Sequence, residues 1–131
     1  MVASGNGAVG LPTGMRVLRR GGSALDAVVA ATKIVEDNLS DHSVGTGGLP
    51  NVLGEVELDA SLMDGRSRHA GAVCALRGYR YPIDVARLVM QRLPHVLVAG
   101  DGAARFAQEC GCEERELLTP AQFRARVAKA K

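Results

Sequence analysis

Val44-Gly-Thr-Gly-Gly-Leu-Pro-Asn51 and, a short distance on, Leu58-Asp-Ala-Ser-Leu-Met-Asp-Gly65 decide how this chain folds. The first stretch is too rich in glycine for helix or strand. With Pro50 and Gly54 it predicts a loop over 38–54. The second closes a strict alternation over 55–62. Glu55, Glu57, Asp59 and Ser61 fall on one side and Val56, Leu58, Ala60 and Leu62 on the other, the pattern of a half-buried strand. Asp64-Gly65 is a hairpin signal, so the small, apolar segment 69–76 reads as the return strand. Gly71 and the alanines beside it leave room for an element packed closely on that strand.

Toward the C-terminus, Pro82 stands in a helix first turn, and Ile83, Ala86, Val89, Met90 and Leu93 recur at helical spacing. Pro94 stops that helix. His95–Ala99 is a short apolar strand, and Gly100-Asp101-Gly102 turns into a helix through Ala103, Phe106 and Ala107 that ends at Gly111. Thr119 and Gln122 make a capping box for a last helix, whose basic, alanine-rich end from Arg124 to Lys131 is expected to fray.

Toward the N-terminus, Ser23 is an N-cap with Asp26 at the capping-box position. Leu25, Val28, Val29, Thr32 and Val35 form the apolar stripe of a strong helix, and Glu36-Asp37-Asn38 ends it in solvent. Ala24, Ala27, Ala30 and Ala31 keep one side thin enough to lie close to a neighbour. A weaker helix runs from Ala8 to Arg20, closed by Gly21-Gly22, and residues 1–7 read as the end of a short strand and a tight turn. The order is strand, two helices, hairpin, helix, strand, helix, helix: an α+β arrangement in one domain piece, 1–131.

Bulk properties exclude several functions. The net charge is only +2 and the arginines are scattered, which does not suit nucleic acid; with aromatic residues at 3%, stacking platforms for single strands are missing too. No apolar run reaches the length of a membrane span, and no leader pattern opens the chain, so a cytoplasmic protein is expected. Cys74, Cys110 and Cys112 have no partner pair at zinc spacing and read as free thiols, Cys74 buried on a strand.

No complete catalytic constellation is visible. Gly5-Asn6-Gly7-Ala8-Val9-Gly10 matches a dinucleotide fingerprint in outline, but Asp26 lies inside a helix rather than at the end of a second strand. His42, His69 and His95 have no nucleophile elbow to serve. Glu55, Glu57 and Asp59 share a strand face, which reads most simply as a solvated face, and Glu113–Glu116 as an exposed loop. Asp64 and Asp101 are turn residues first. The Gly45–Gly48 turn suits either an anion held on backbone N–H groups or two backbones passing closely.

Taken in order, Ser4–Gly7, Gly21–Val28, Ile34–Asp37, Ser43–Asn51, Glu57–Gly65, Gly71–Arg77, Pro82–Met90, Pro94–Gly100, Gly102–Ala107 and Leu117–Pro120 resemble the α subunit of the type-2 asparaginase and glycosylasparaginase family. The Ser-Val-Gly-x-Gly-Gly-Leu-Pro-Asn version of the loop is similar to the glycosylasparaginase-like branch rather than the isoaspartyl peptidase branch. The tryptophan that lines the pocket in many glycosylasparaginases has no counterpart, since the chain has no Trp and Ser4–Gly7 occupies that region.

The resemblance implies a four-layer αββα sandwich of the N-terminal-nucleophile hydrolase type, of which this chain supplies about half. It implies an amidohydrolase acting on asparagine or N4-substituted asparagine, with isoaspartyl peptidase activity or a non-catalytic scaffold as alternatives. The nucleophile would be the first residue, a Thr, of a β subunit cut from the same precursor, in an (αβ)2 heterotetramer. No catalytic residue is expected here, because Thr13, Thr32, Thr46 and Thr119 are all internal. Asn6 and Gly7 are the expected substrate-binding residues, and Gly45, Gly47 and Gly48 the expected pocket-shaping loop. Neither a cofactor nor a metal is expected. Without its companion the chain is expected to expose apolar edges and aggregate.

Overall fold

The computed structural model describes residues 1–122. After a single 3-10 turn, Asn6–Gly10, come α1 (Leu11–Arg19), α2 (Ala24–Glu36), the hairpin β1 (Leu58–Met63) and β2 (Ala70–Leu76), α3 (Pro82–Arg92), β3 (Leu97–Ala99) and α4 (Gly100–Glu109). The capping box at Ser23 and Asp26 starts α2 as the sequence predicts. A second capping box joins Thr119 to Gln122, whose side chain accepts from both the Thr119 N–H and its hydroxyl; the rest of the expected last helix lies outside the described residues.

The three strands form one sheet in the order β1-β2-β3. β1 and β2 are antiparallel; β3 returns parallel to β2, across the α3 crossover. The register slips between Leu58 and Ala60, where Ala75 takes a positive φ of 51°. The Asp59 carboxylate accepts the Ala75 N–H at 2.8 Å, so this bulge has its own acceptor on the neighbouring strand.

One sheet face is closed. Leu62, Val73 and Leu76 meet Ile83, Ala86 and Val89 of α3, Ala103 and Ala107 of α4, and Val29 of α2 in one core. Gly71 is the point of closest approach: a Cβ there would lie 2.2 Å from the Ala86 carbonyl oxygen. The opposite face, with Ser61 and Met63 on β1, Ala70, Ala72 and Cys74 on β2 and Leu97 on β3, has no covering layer among the described residues. Met63 is 62% and Leu97 55% exposed on it. The architecture is therefore a mixed α/β unit with helices on one side of a small sheet.

Four expectations are corrected. Met1–Ser4 form no strand; the chain enters directly into the turn at Asn6. The buried stripe of α2 is Ala27, Val29, Ala31 and Val35, while Val28 is 44% exposed. The alanines win because α1 and the 3-10 turn press their backbone on that side: a Cβ at Gly10 would stand 2.3 Å from Ala31 O. Glu36 does not end α2 in solvent but is 3% exposed. Cys74 is half-buried rather than buried.

Candidate functional site

The 3-10 turn sets out Asn6. Gly7 N–H donates to Ser4 O at 3.0 Å, the Ser4 hydroxyl donates to Asn6 Oδ1 at 2.5 Å, and Asn6 Nδ2 reaches across to Ser43 Oγ at 3.3 Å. Ser43 in turn gives both its N–H and its hydroxyl to Asp41 Oδ1, which holds the Asp41 carboxyl below its ordinary range. Two regions singled out in the sequence, the Asn6 turn and the loop over 38–54, are thus tied by a side-chain contact.

Beside this contact lies a cavity of about 330 Å3. Asn6 and Gly7 line it, with Ser4, Glu36, Asp59 and Ser61 among its polar neighbours and Val28 and Val44 among its apolar ones. Gly45, Gly47 and Gly48 stand behind Val44 rather than on the wall. Their geometry is fixed by close approach. Gly45 has φ +67°, and a Cβ there would fall 2.0 Å from Glu36 O. Thr46 N–H donates to Glu36 O, Gly47 N–H to Leu117 O and Gly48 N–H to Gly45 O, so these three amides have no donor left for an anion. Gly47 O accepts from Gln122 Nε2 and bonds His42 Nδ1, and Gly48 O also accepts from Gln122. Passage of two backbones is what the glycines serve here.

Glu36 is the residue that sequence reasoning missed. Its backbone carbonyl holds the glycine loop, and its Oε1 accepts the Ile83 N–H in the first turn of α3 at 3.1 Å. Its Oε2 is buried without a partner among the described residues. Burial pushes the carboxyl up to about 8, with Asp84 and Asp37 adding to the rise and the Ile83 N–H and Lys33 opposing it. At neutral pH this group holds its proton. Its partner is 47 residues away, and no local spacing signals that pairing.

Next to Glu36, Asp37 anchors an ionic node. Arg80 Nε and Nη2 donate to its two carboxylate oxygens at 2.9 Å each, Tyr81 donates its hydroxyl at 2.7 Å, and Arg80 also pairs with Glu113. Asp37 is held below its usual range against the opposing effect of burial. The strand-face carboxylates have structural tasks: Glu55 pairs with Arg77, which also meets Asp101, and Asp59 serves the bulge. Among the described residues no group of three or more His, Cys, Asp or Glu is placed to hold a metal, and no helix is long and apolar enough to cross a membrane.

Comparison with known proteins supplies what the geometry lacks. The family model described as asparaginase, of the type-2 class, matches residues 9–130. The chain is 45% identical over 102 residues to an isoaspartyl peptidase/L-asparaginase of Danio rerio, covering 78% of this chain and 33% of that protein. It is equally 45% identical over 104 residues to an N(4)-(β-N-acetylglucosaminyl)-L-asparaginase of Elizabethkingia miricola, covering 79% and 30%. A plant-type L-asparaginase of Thermococcus kodakarensis is 47% identical over 106 residues, covering 81% and 34%. The chain thus spans about a third of the length of these relatives. A match running through both the cavity wall at α2 and the glycine loop, across nearly the whole sequence, places this chain in the type-2 asparaginase family.

Proposed function

We propose that this chain is the α-subunit part of a self-processed amidohydrolase that cleaves the side-chain amide of asparagine or N4-substituted asparagine. The family membership of residues 9–130 carries the reading. In it, a companion β subunit from the same precursor begins with the Thr nucleophile, and two such pairs associate. The bare sheet face supports the sandwich: Met63, Ala70, Ala72 and Leu97 form an apolar surface on which a second sheet would pack. Three free cysteines suit a reducing compartment, the cytoplasm.

The chemistry follows from the nucleophile. Its free α-amine takes the hydroxyl proton as the oxygen attacks the amide carbonyl. The C–N bond breaks, the proton goes to the leaving nitrogen, and a β-aspartyl ester remains. Water then cleaves the ester by the reverse proton path. This chain would supply substrate wall rather than reacting groups: Asn6 and Gly7 at the cavity, and the loop of Gly45, Gly47 and Gly48 shaping it, Gly45 by its contact with the Glu36 backbone.

The isoaspartyl peptidase reading has its own support in the equal identity to the Danio rerio protein. Both are tested by expressing the complete gene, sequencing the N-terminus of everything that co-purifies, and assaying ammonia release from asparagine, cleavage of N-acetylglucosaminyl-asparagine and cleavage of a β-aspartyl dipeptide. A Thr-headed companion and one dominant substrate are expected. A companion without that Thr, and no turnover, would leave the scaffold reading.

A further inference from the structure

We propose that Cys110 and Cys112 form a vicinal-thiol site for a soft electrophilic centre that two sulfurs can bridge, of the trivalent arsenic class. The proposal is independent of the hydrolytic reaction. Cys110 caps α4, Gly111 turns the chain in the left-handed region at φ +70°, and Cys112 N–H closes the helix end on Ala107 O at 3.0 Å. This arrangement holds two thiols one residue apart on a fixed turn. Cα atoms two residues apart are at most about 7 Å apart, and both cysteines open on one cavity, so one bridging centre lies within reach of the two side chains.

Both cysteines line the same cavity, of about 360 Å3, bounded by Lys33 of α2 and by Asp84, Arg87, Leu88 and Gln91 of α3. Both are half-buried and neither is in a disulfide. The Cys110 sulfur accepts from Arg92 Nη1 at 3.5 Å. The cavity has space in front of the sulfurs for an organic substituent, with Leu88 for apolar contact. Cys74 cannot take part, because it lies on the bare sheet face, engaged with Asp59.

Capture balances without an oxidant. Two S–H bonds and the arsenic–oxygen bonds of an arsine oxide break, two As–S bonds form, and the oxygen leaves as water with both protons. The probe is phenylarsine oxide, added to the purified native protein and followed by intact mass. One phenylarsenic unit per chain is expected, resistant to excess monothiol and released by a dithiol. Cys110→Ser and Cys112→Ala each lose the adduct, and Cys74→Ser keeps it. Cys112 packs on the core, so its variant needs a folding check by circular dichroism; the half-exposed Cys110 decides the matter if Cys112→Ala does not fold. An adduct surviving in Cys110→Ser, release by monothiol alone, loss in Cys74→Ser, or no adduct on the native protein would each overturn the site.

Discussion

Two glycine-rich turns frame the candidate site, and they are built on opposite principles. At Gly45–Gly48 the missing side chains are filled by protein: Gly45 faces Glu36 backbone at 2.0 Å from a would-be Cβ, with φ +67°. At Gly5–Gly7 they are hardly filled. Gly5 has nothing within 4 Å and an ordinary helical φ of −54°, and Gly7 meets only Ala3 and Ser4 at 3.0 Å and 3.4 Å. One turn needs glycine for the fold. The other has open space for a methyl group at Gly5 and only tight space at Gly7, the one of the two that lines the cavity. Glycine in a sequence thus carries two messages, and only the neighbours distinguish them.

The largest effect tests the packed turn. Gly45→Ala must move the Glu36 backbone and adopt a left-handed conformation, a loss of about 3 kcal/mol or more from strain and overpacking together. Urea unfolding is expected to show a lower midpoint with an unchanged slope. A variant as stable as the parent would mean that the two backbones do not pass as closely as described.

Glu36 sharpens the same contrast through pH. Its folded carboxyl titrates at about 8 against about 4.3 for an unfolded glutamate. Between those values the folded state keeps a proton that the unfolded state releases, so stability falls as pH rises from about 4.3 to about 8 and levels off above; below about 4.3 both states are protonated and the group contributes nothing. Glu36→Gln keeps the acceptor for Ile83 N–H and removes the titration. Its advantage over the parent is expected to grow by about 1.4 kcal/mol per pH unit between about 4.3 and about 8 and to vanish near pH 4. Parallel pH curves for the two proteins would show that Glu36 is ionised in the fold.

Much of this architecture was legible because local chemistry decided it. The Ser23 and Thr119 capping boxes, the alternation around Leu58–Leu62 and the closeness implied by Gly71 all depend on residues near in sequence. What was not legible came from distant pairing. The buried stripe of α2 was chosen by the backbone of Gly10, and Glu36 was drawn inward by the N-terminus of α3. Arg80 and Asp37, 43 residues apart, gave no signal either. For the site, the sequence pointed to both turns, and the structure adds the contact between Asn6 and Ser43 that joins them.

That contact provides the next test. Asn6→Ala removes one exposed hydrogen bond of 3.3 Å to Ser43 and one acceptor for Ser4, a stability loss of about 1 kcal/mol or less. If Asn6 belongs to the substrate wall, KM for the amide substrate rises well beyond what so small a structural loss explains, while the melting curve hardly moves. An unchanged KM would reduce the turn to a loop brace.

The smallest expected effect is the sharpest discriminator between the two turns. Gly5→Ala introduces a methyl group into open space at a backbone conformation alanine prefers, so the unfolded chain loses freedom and the fold gains about 0.5 kcal/mol. Thermal unfolding at fixed protein concentration measures it. A gain in stability with activity intact would make Gly5 a position without a task. A gain in stability together with weaker substrate binding would show that the bareness of this turn is kept for a ligand, because no contact within the protein demands it. The same substitution chemistry at Gly45 has the opposite sign, and that reversal between two glycines is what the packing at Glu36 requires.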